Sequence, residues 1–409
     1  MFERKKLYIP LLIIFVFVAF KIQPFVSSKE VLHEQIELPA EVLKPSRLQE
    51  IEQVISKYDS ILSAEINESG TIGAAVVITY KNEIALLKCF GVQKAGEKNP
   101  INKNTVFRLA SVSKTVSGVL AGILSDNGTI KFEDKVIDYL PHFKLKNPES
   151  TSTMSIGNLL SHTSGLVPHA YDNMIEEHVP LSKIMNELQY VDIAGAPGKL
   201  YGYQNVMFSL YDTISKIKTS KNFSDLLKEN IFEPFGMNDA SSSFNDFKNN
   251  NNKAFPHFGG NGKFRTLRLN NRYYSTAPAA GINASISDLS QFLLTLLNKE
   301  STVINNNIRS KIFTPQIQSP LKRNYLRRWD RVDSKHYSIG WRIIGYKNRK
   351  VAYHGGYVQG YRAEIAICEE EEIGIAFLSN SPNSTGSKSI PTFLNLLFEL
   401  KDDEIKLKS

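Results

Sequence analysis

The stretch at residues 106–124 reads VFRLASVSKTVSGVLAGIL, an extended apolar segment that passes at Ser111 into an apolar helix. Apolar residues recur at helical spacing up to Leu124, and Gly128 indicates where the helix ends. Ser111 and Lys114 are three residues apart, so both side chains lie on one face at the helix start. A lysine in a desolvated pocket can lose its proton and then accept the proton of a serine. The stretch therefore predicts a Ser-Lys pair in which Ser111 is the nucleophile.

The S-x-x-K spacing is not specific by itself, because it also occurs at Ser215 and at Ser319. Sequence context separates the three matches. Only Ser111 stands between an extended segment and a long apolar helix. At such a position the unpaired backbone N–H groups of the first helical turn and the positive end of the helix dipole lie near the serine side chain. We therefore take Ser111 as the candidate.

Two further motifs stand next to regular elements. Tyr203 and Asn205 form a Y-x-N motif after Ala196-Pro197-Gly198, a turn that would present Tyr203 on a loop. His354 ends a predicted strand, and the two glycines that follow it allow a ligand to approach the backbone closely. These positions make both motifs candidate partners of Ser111.

Strand patterns occur at both ends of the chain, and helical patterns lie between them. The β-rich segments Thr71–Tyr80 and Glu83–Val92 are joined at Lys81-Asn82, which predicts a hairpin. The last quarter holds four more predicted strands: Tyr337–Ile344, Lys350–Tyr353, Tyr361–Cys368 and Ile373–Ser379. We expect a mixed α/β (α+β) fold in which the N-terminal hairpin joins the C-terminal strands in one sheet. The mainly helical middle is then an insertion beside the sheet, and the cleft between them is a natural ligand site.

Helices and one loop complete the predicted organisation. Helical patterns extend from Ser46 to about Leu62, over Ser287–Leu297 and over Ser387–Leu400. The polar run Asn245–Lys253, with four consecutive asparagines, predicts a surface loop.

The first residues are typical of a targeting segment. Arg4-Lys5-Lys6 precedes an apolar run from Leu7 to Phe20, which would form about 21 Å of helix, less than the 30 Å hydrocarbon core of a membrane. A charged and then apolar segment of this length predicts a secretory signal. Residues 1–28 are therefore a signal peptide or, since Val26-Ser27-Ser28 is a weak cleavage site, an N-terminal membrane anchor. We expect an exported protein, in the periplasm or at the outer face of the cytoplasmic membrane.

Composition excludes several classes of protein. Among 409 residues, 42% are hydrophobic and 22% charged, which is typical of a globular chain and excludes wholesale disorder. The net charge is +8, of which residues 1–28 carry +3, and the remaining +5 does not predict nucleic-acid binding. The two cysteines have no second cysteine or histidine at metal-ligand spacing, which excludes a cysteine-ligated metal site.

With these motifs in this order, the sequence resembles the class C β-lactamase and penicillin-binding serine hydrolase family, which includes D-alanyl-D-alanine carboxypeptidase-like members. The resemblance runs from about residue 70 to residue 400. It is carried by seven blocks: FRLASVSKT (107–115), LLSHTSGL (159–166), APGKLYGYQN (196–205), PFGM (234–237), PAAGINASISDL (278–289), SIGW (338–341) and HGGYVQGYRAEIAI (354–367). The resemblance implies an antiparallel sheet flanked by helices, a small-molecule substrate, no metal and no cofactor.

The family pattern also implies a role for each matching residue. Ser111 would be acylated, and Lys114 would hold it ready to lose its proton. Tyr203 would pass a proton to the leaving group. Asn205 would hydrogen-bond the substrate amide. The backbone N–H groups of Ser111 and Tyr357 would form the oxyanion hole.

The third motif departs from the family β-lactamases, which usually carry Lys-Thr-Gly where this chain has His354-Gly355-Gly356. A lysine supplies a fixed charge and a threonine supplies a hydroxyl, and both help to hold a substrate carboxylate. His354 supplies charge only when it is protonated, and Gly355 supplies no hydroxyl. We therefore expect weak β-lactam hydrolysis that improves toward pH 6 as His354 gains a proton.

Other conspicuous residues receive structural interpretations. His162 is expected to be a structural hydrogen-bonding group rather than a base. Cys89 and Cys368 fall in strands that are not neighbours in the family sheet, so we expect two buried, unbridged thiols. The basic stretch around Arg328 is expected to be a solvated loop and not a nucleic-acid site.

These expectations give one leading function and two alternatives. The leading function is an exported serine hydrolase that cleaves an amide, a β-lactam or a D-Ala-D-Ala peptide through an acyl-enzyme. The alternatives are a small-ester hydrolase of the same fold and a non-catalytic relative that binds wall peptides. We expect a monomer with a signal or anchor at 1–28, a helical lead-in at 29–69, the hydrolase domain at 70–400 and a charged tail at 401–409.

Overall fold

A computed structural model describes residues 26–27, 48–260, 262–320, 326, 328–330, 332–381 and 384–408. The predicted targeting segment, apart from Val26-Ser27, lies outside the described residues, and so does the lead-in up to residue 47. Within the described part of the chain, every helix is too short or too polar to cross a bilayer.

An eight-stranded antiparallel sheet forms the centre of the fold. In chain order the strands are β1 (Val26–Ser27), β2 (Gly73–Tyr80), β3 (Glu83–Gly91), β4 (Phe107–Arg108), β5 (His257–Gly260), β6 (Lys263–Thr266), β7 (Asn283–Ala284), β8 (Ile317–Gln318), β9 (Val332–Tyr337), β10 (Arg342–Tyr346), β11 (Arg349–Val358), β12 (Tyr361–Cys368) and β13 (Ile373–Ser379). The order in the large sheet is β3-β2-β13-β12-β11-β10-β9-β8. Strands β4 and β7 pair with each other, and β1, β6 and β5 form a small separate sheet.

The sheet confirms that the two ends of the chain meet. Strand β2 pairs with β13 from Tyr80↔Ile373 to Ala74↔Ser379. The hairpin between β2 and β3 turns at Lys81 and Asn82, whose φ angles of 46° and 64° match the two left-handed positions of a type I′ turn.

Helices cover both faces of the sheet. In chain order they are α1 (Glu52–Ser69), α2 (Ser113–Asp126), α3 (Val136–Tyr139), α4 (Pro148–Thr153), α5 (Ile156–Leu160), α6 (Asp172–Glu176), α7 (Leu181–Glu187), α8 (Asn205–Thr219), α9 (Phe223–Leu227), α10 (Glu233–Phe235), α11 (Phe244–Asn249), α12 (Ala277–Ala280), α13 (Ile286–Leu297), α14 (Asn306–Phe313) and α15 (Ser384–Lys408). Helices α1 and α15 pack on one face, while α2, α8 and α13 pack on the other. Strand β2 is buried on both sides because Val76 and Ile78 face one core and Ala75 and Val77 face the other.

The predicted strand Tyr337–Ile344 is wrong, because the chain reverses inside it. Strand β9 ends at Tyr337 and β10 begins at Arg342. Gly340 lies in the turn with a φ of 76°, and a Cβ there would stand 2.1 Å from the Lys114 carbonyl oxygen. Only glycine fits this turn, which therefore packs directly against the helix that follows Ser111.

Two other segments are more helical than the sequence predicts. The first half of the predicted loop Asn245–Lys253 belongs to α11, whose N-terminus is capped by the Ser243 side chain and whose Phe247 is buried. Helix α15 continues to Lys408, through most of the charged tail that the sequence predicts at 401–409.

The cysteines are free, as expected. Cys89 lies in β3 and Cys368 in β12, and strands β2 and β13 separate them. Cys368 is buried, but Cys89 is partly exposed, so only one of the two thiols is buried as predicted.

Candidate active site

Ser111 lies in the tight turn Ala110–Val112, between β4 and α2. Ala110 has a φ of 47°, a left-handed conformation that persists in alanine only where the surroundings enforce it. The Leu109 N–H fixes the entry to the turn by donating to the Ile282 carbonyl oxygen at 2.9 Å. Helix α2 begins two residues after Ser111, later than the sequence predicts, and the Ser111 side chain lines a cleft.

Lys114 is fully buried beneath this turn. Its ammonium donates to Asn205 Oδ1 at 2.7 Å and to the Ala279 carbonyl oxygen at 2.9 Å. Burial holds the pKa of Lys114 well below its ordinary value, the charge of Arg342 lowers the pKa further, and Asp172 opposes the shift. A lysine in this environment loses its proton more readily than an exposed lysine and can then serve as a base.

Tyr203 and Asn205 reach Lys114 from the start of α8. Tyr203 lies in the loop before this helix, as predicted, and its ring centroid is 4.6 Å from Lys114 Nζ. Asn205 is the first helical residue, and its Nδ2 donates to Asp172 Oδ2 at 2.9 Å. Since Oδ1 accepts from Lys114, both ends of the Asn205 amide are fixed in orientation.

His354 lies in the middle of β11, not at its end as predicted. The ladder between β10 and β11 ends at the Arg342↔Tyr353 pair. Residues 354–358 therefore extend past the end of β10, and Gly355, Gly356 and Tyr357 line the same cleft as Ser111.

Gly356 brings β11 against the Ser111 turn. A Cβ at this position would stand 2.4 Å from the Leu109 carbonyl oxygen and 2.8 Å from Ser111 N. No side chain fits, so the backbone that leads into Tyr357 lies directly beside the Ser111 N–H. Two backbone donors on adjoining segments at one cleft are the arrangement that an oxyanion hole requires.

The cleft has a volume of about 310 Å³ and is rich in cations and aromatic rings. It is lined by Ser111, His169, Tyr201, Tyr203, Ser319, Pro320, Leu326, Lys335, His336, Arg342, Ile344, Gly355, Gly356, Tyr357 and Arg362. Lys114 lies behind this lining and contacts it at Tyr203. Asn205 reaches the lining through Asp172, which in turn contacts His169.

Comparison with protein families gives one match over most of the chain. The model of the family described as Beta-lactamase matches residues 51–397. The chain belongs to this beta-lactamase family. This membership confirms the predicted family resemblance. It places the chain in the superfamily of serine hydrolases that includes β-lactamases and penicillin-binding proteins.

The curated relatives of this beta-lactamase-family chain are distant. Protein flp of Staphylococcus aureus (strain MRSA252) is 22% identical over 335 residues, which cover 79% of this chain and 62% of flp. Unguisins hydrolase ungD' of Aspergillus campestris is 21% identical over 309 residues, which cover 73% of this chain and 56% of that protein. This chain therefore spans less than two thirds of the length of these relatives.

A solved structure has the same fold. The octameric penicillin-binding protein homologue from Pyrococcus abyssi superimposes with a TM-score of 0.73 at 21% identity, over 85% of this chain and 77% of that chain. This similarity confirms the predicted fold class. The octameric state is a property of the archaeal protein, and a monomer remains our prediction for this one.

The charge state expected of His354 is wrong for this member of the beta-lactamase family. His354 Nδ1 lies 2.9 Å from the Gly355 carbonyl oxygen, so it donates there and leaves Nε2 as an acceptor. Nε2 accepts from the Tyr337 hydroxyl at 3.1 Å and faces Arg342 Nη1 at 3.4 Å. Complete burial, Arg342 and Lys114 hold the pKa of His354 well below its ordinary value, so it does not become charged near pH 6.

Arg342 is the residue that the sequence analysis missed. It lines the cleft beside His354, and its guanidinium lies 5.3 Å from the Tyr203 ring centroid. Arg342 directly follows the SIGW block. A predicted chain reversal at Gly340 would have made Arg342 the first residue of a new strand and a candidate for the cleft. The single predicted strand hid the pairing that brings Arg342 beside His354.

His162 and the serines of the other two S-x-x-K matches were not predicted to be catalytic. His162 is buried, its Nδ1 accepts from the Gln204 N–H at 3.2 Å, and burial holds its pKa well below the ordinary value. Ser215 is buried in α8 and donates to the Asp212 carbonyl oxygen. Ser319 lines the cleft, and the lysine of its S-x-x-K match, Lys322, lies outside the described residues.

Metal chemistry has no candidate centre in the described part of the chain. Among those residues, histidine, cysteine, aspartate and glutamate side chains nowhere gather in a group of three or more that could hold an ion.

Proposed function

We propose that this protein is a serine hydrolase that forms an acyl-enzyme at Ser111 with substrates that carry a carboxylate near the scissile bond. β-Lactams and D-Ala-D-Ala peptides are substrates of this kind. The observation that carries the proposal is the state of Lys114, which is fully buried, lies three residues from Ser111 and has a pKa well below its ordinary value.

Acylation follows from these positions. The neutral amine of Lys114 takes the hydroxyl proton as Ser111 Oγ attacks the substrate carbonyl carbon. The N–H groups of Ser111 and Tyr357 bind the oxyanion, and one such donor is typically worth about 10²–10³ in kcat. Tyr203, which lies over Lys114, passes the proton to the leaving group as its bond to the carbonyl carbon breaks.

The preference for a carboxylate rests on Arg342. His354 is neutral, and Gly355 has no hydroxyl, so the third motif lacks the two usual carboxylate contacts. Arg342 supplies a permanent charge within 3.4 Å of His354 Nε2, at the edge where β11 extends past β10. Arg362, which also lines the cleft, pairs with the buried carboxylate of Glu364.

One set of compounds distinguishes the proposed function from the two alternatives, a small-ester hydrolase and a non-catalytic relative. Purified protein is incubated with a penicillin, a cephalosporin, a D-Ala-D-Ala peptide and a neutral p-nitrophenyl ester, and adducts and products are followed by mass spectrometry. We expect covalent adducts with the carboxylate-bearing compounds. Turnover of the ester alone would favour a small-ester hydrolase, and binding without any adduct would favour a non-catalytic wall-peptide-binding relative.

Export is a separate part of the proposal and rests on residues 1–28 alone. A C-terminally tagged full chain should become accessible to external protease in spheroplasts. Deletion of residues 2–28 should abolish that accessibility. Retention of the segment in the exported chain would identify it as an anchor, and its loss as a signal peptide.

A further inference from the structure

A second acid–base pair lies at the wall of the cleft. His169 Nδ1 is 2.8 Å from Asp172 Oδ2, and the same oxygen accepts from Asn205 Nδ2 at 2.9 Å. Asn205 in turn accepts from Lys114. The pair therefore joins the hydrogen-bond network of the predicted site, although neither residue belongs to a motif that the sequence analysis used.

The backbone holds His169 in an unusual position. Its φ is 62°, in the left-handed region, where residues other than glycine are uncommon. The His169 N–H donates to the Tyr203 carbonyl oxygen at 2.8 Å, and the Asp172 N–H donates to the His169 carbonyl oxygen at 3.2 Å. These bonds fix His169 directly beside Tyr203. Non-glycine residues held in such conformations cluster at functional sites.

The His169 ring lines the cleft, and only its Nδ1 contacts Asp172, so Nε2 does not take part in that hydrogen bond. The ring lines the cleft together with Ser111, and its centroid is 5.3 Å from that of Tyr203. When Nδ1 donates its proton to Asp172, Nε2 carries a lone pair and can accept a proton. A carboxylate behind a histidine fixes this tautomer and stabilises the imidazolium that forms.

Access to water distinguishes His169 from the other bases of the site. The side chain of His169 is 55% exposed, whereas Lys114 is 0% exposed and Tyr203 is 7% exposed. Lys114 and Tyr203 are suited to proton transfer with the serine and the leaving group, beneath the bound substrate. Of these three groups, His169 is therefore the one that solvent water can reach most readily.

We propose that His169, oriented by Asp172, is the general base that activates water for hydrolysis of the acyl-enzyme. Nε2 takes one proton from a water molecule as the water oxygen bonds to the acyl carbonyl carbon. The bond from that carbon to Ser111 Oγ then breaks, and Oγ takes a proton from the Tyr203 hydroxyl. The proton held by His169 returns to Tyr203 through solvent, so Lys114 stays neutral for the next acylation. The products are a carboxylic acid and the free serine. This inference rests on the proposed acyl-enzyme at Ser111.

The test measures the two half-reactions separately in the full chain. The variant is His169→Asn, because asparagine tolerates a positive φ and keeps the backbone turn. The matched control is His178→Asn, a histidine with a φ of 63° that is exposed and absent from the cleft lining. Acylation is followed as the initial release of p-nitrophenol from an ester, and deacylation as the loss of the acyl adduct by mass spectrometry after excess substrate is removed.

His169→Asn should acylate within about threefold of the wild type and should deacylate about 10²-fold more slowly, the lower range of a general base. Added hydroxylamine, which attacks without a base, should restore turnover. His178→Asn should match the wild type in both steps. Unchanged deacylation, or equal slowing of both steps with no rescue by hydroxylamine, would overturn the role of His169. If the wild type forms no adduct, the proposed function itself fails, and the role of His169 fails with it.

Discussion

The Lys114 ammonium donates a 2.7 Å hydrogen bond to Asn205 Oδ1 across 91 residues of sequence. This bond joins the helix that follows Ser111 to the helix that follows Tyr203. It places a lysine of lowered pKa under the turn that holds Ser111, and it fixes the orientation of the Asn205 amide.

The first prediction concerns Lys114. Lys114→Met keeps a side chain of similar length in the buried site but removes the base. Acylation should fall by about 10²–10⁴-fold, the usual contribution of a general base. The measurement is the initial rate of adduct formation at Ser111. Lys228→Met, at a lysine that is 67% exposed, is the control and should leave the rate unchanged. A near-wild-type rate for Lys114→Met would remove the lysine from the mechanism.

The second prediction concerns Arg342. Arg342→Gln should lower kcat/KM for carboxylate-bearing substrates by about 10- to 150-fold, because one charge-assisted hydrogen bond is worth about 1.5–3 kcal/mol. A neutral ester should lose less than about threefold. Nitrocefin and a p-nitrophenyl ester are compared for the variant and for Arg265→Gln, which alters an exposed arginine. Equal losses on both substrates would show that Arg342 does not bind the carboxylate.

The third prediction concerns pH. The base form of Lys114 increases as pH rises through its lowered pKa, so acylation should increase with pH and decline as the pH falls through that pKa. His354 stays neutral over this range and adds no charge that would compensate. Profiles of kcat/KM for nitrocefin and for the neutral ester should therefore decline together. A rise toward pH 6 with nitrocefin alone would mean that His354 takes up a proton.

The fourth prediction concerns Gly356. In Gly356→Ala the added Cβ would stand 2.8 Å from Ser111 N, so β11 must move away from the Ser111 turn. Because this separates the two proposed oxyanion donors, kcat should fall by about 10²–10³-fold, with a smaller effect on KM. Gly260→Ala is the matched control, because a Cβ there has no heavy atom within 4 Å. Normal turnover by Gly356→Ala would exclude the proposed oxyanion hole.

Much of the fold could be predicted because its signals are local. The β-rich runs on either side of the Lys81-Asn82 turn predict the hairpin β2–β3, and the strands β12 and β13 are predicted with the bounds that the structure has. The junction at Ser111 and the loop at Tyr203 were also visible, because turn and helix patterns mark them.

The rest depends on contacts between distant segments. The reversal at Gly340 is set by the approach of the Lys114 carbonyl, which no local pattern reveals. Because the reversal was not predicted, Arg342 was not recognised as a residue of the cleft. The charge state of His354 was mispredicted because its burial and its proximity to Arg342 arise only when β10 and β11 pair.

The central claim is that Ser111 forms the acyl-enzyme, and intact-mass and peptide-mapping measurements with a penicillin and a fluorophosphonate test it most directly. Wild type, Ser215→Ala and Ser319→Ala should each gain one adduct, mapped to the peptide that contains Ser111. Ser111→Ala should gain none while it retains the wild-type melting temperature. An adduct on Ser111→Ala, or loss of the adduct in Ser319→Ala alone, would contradict the account.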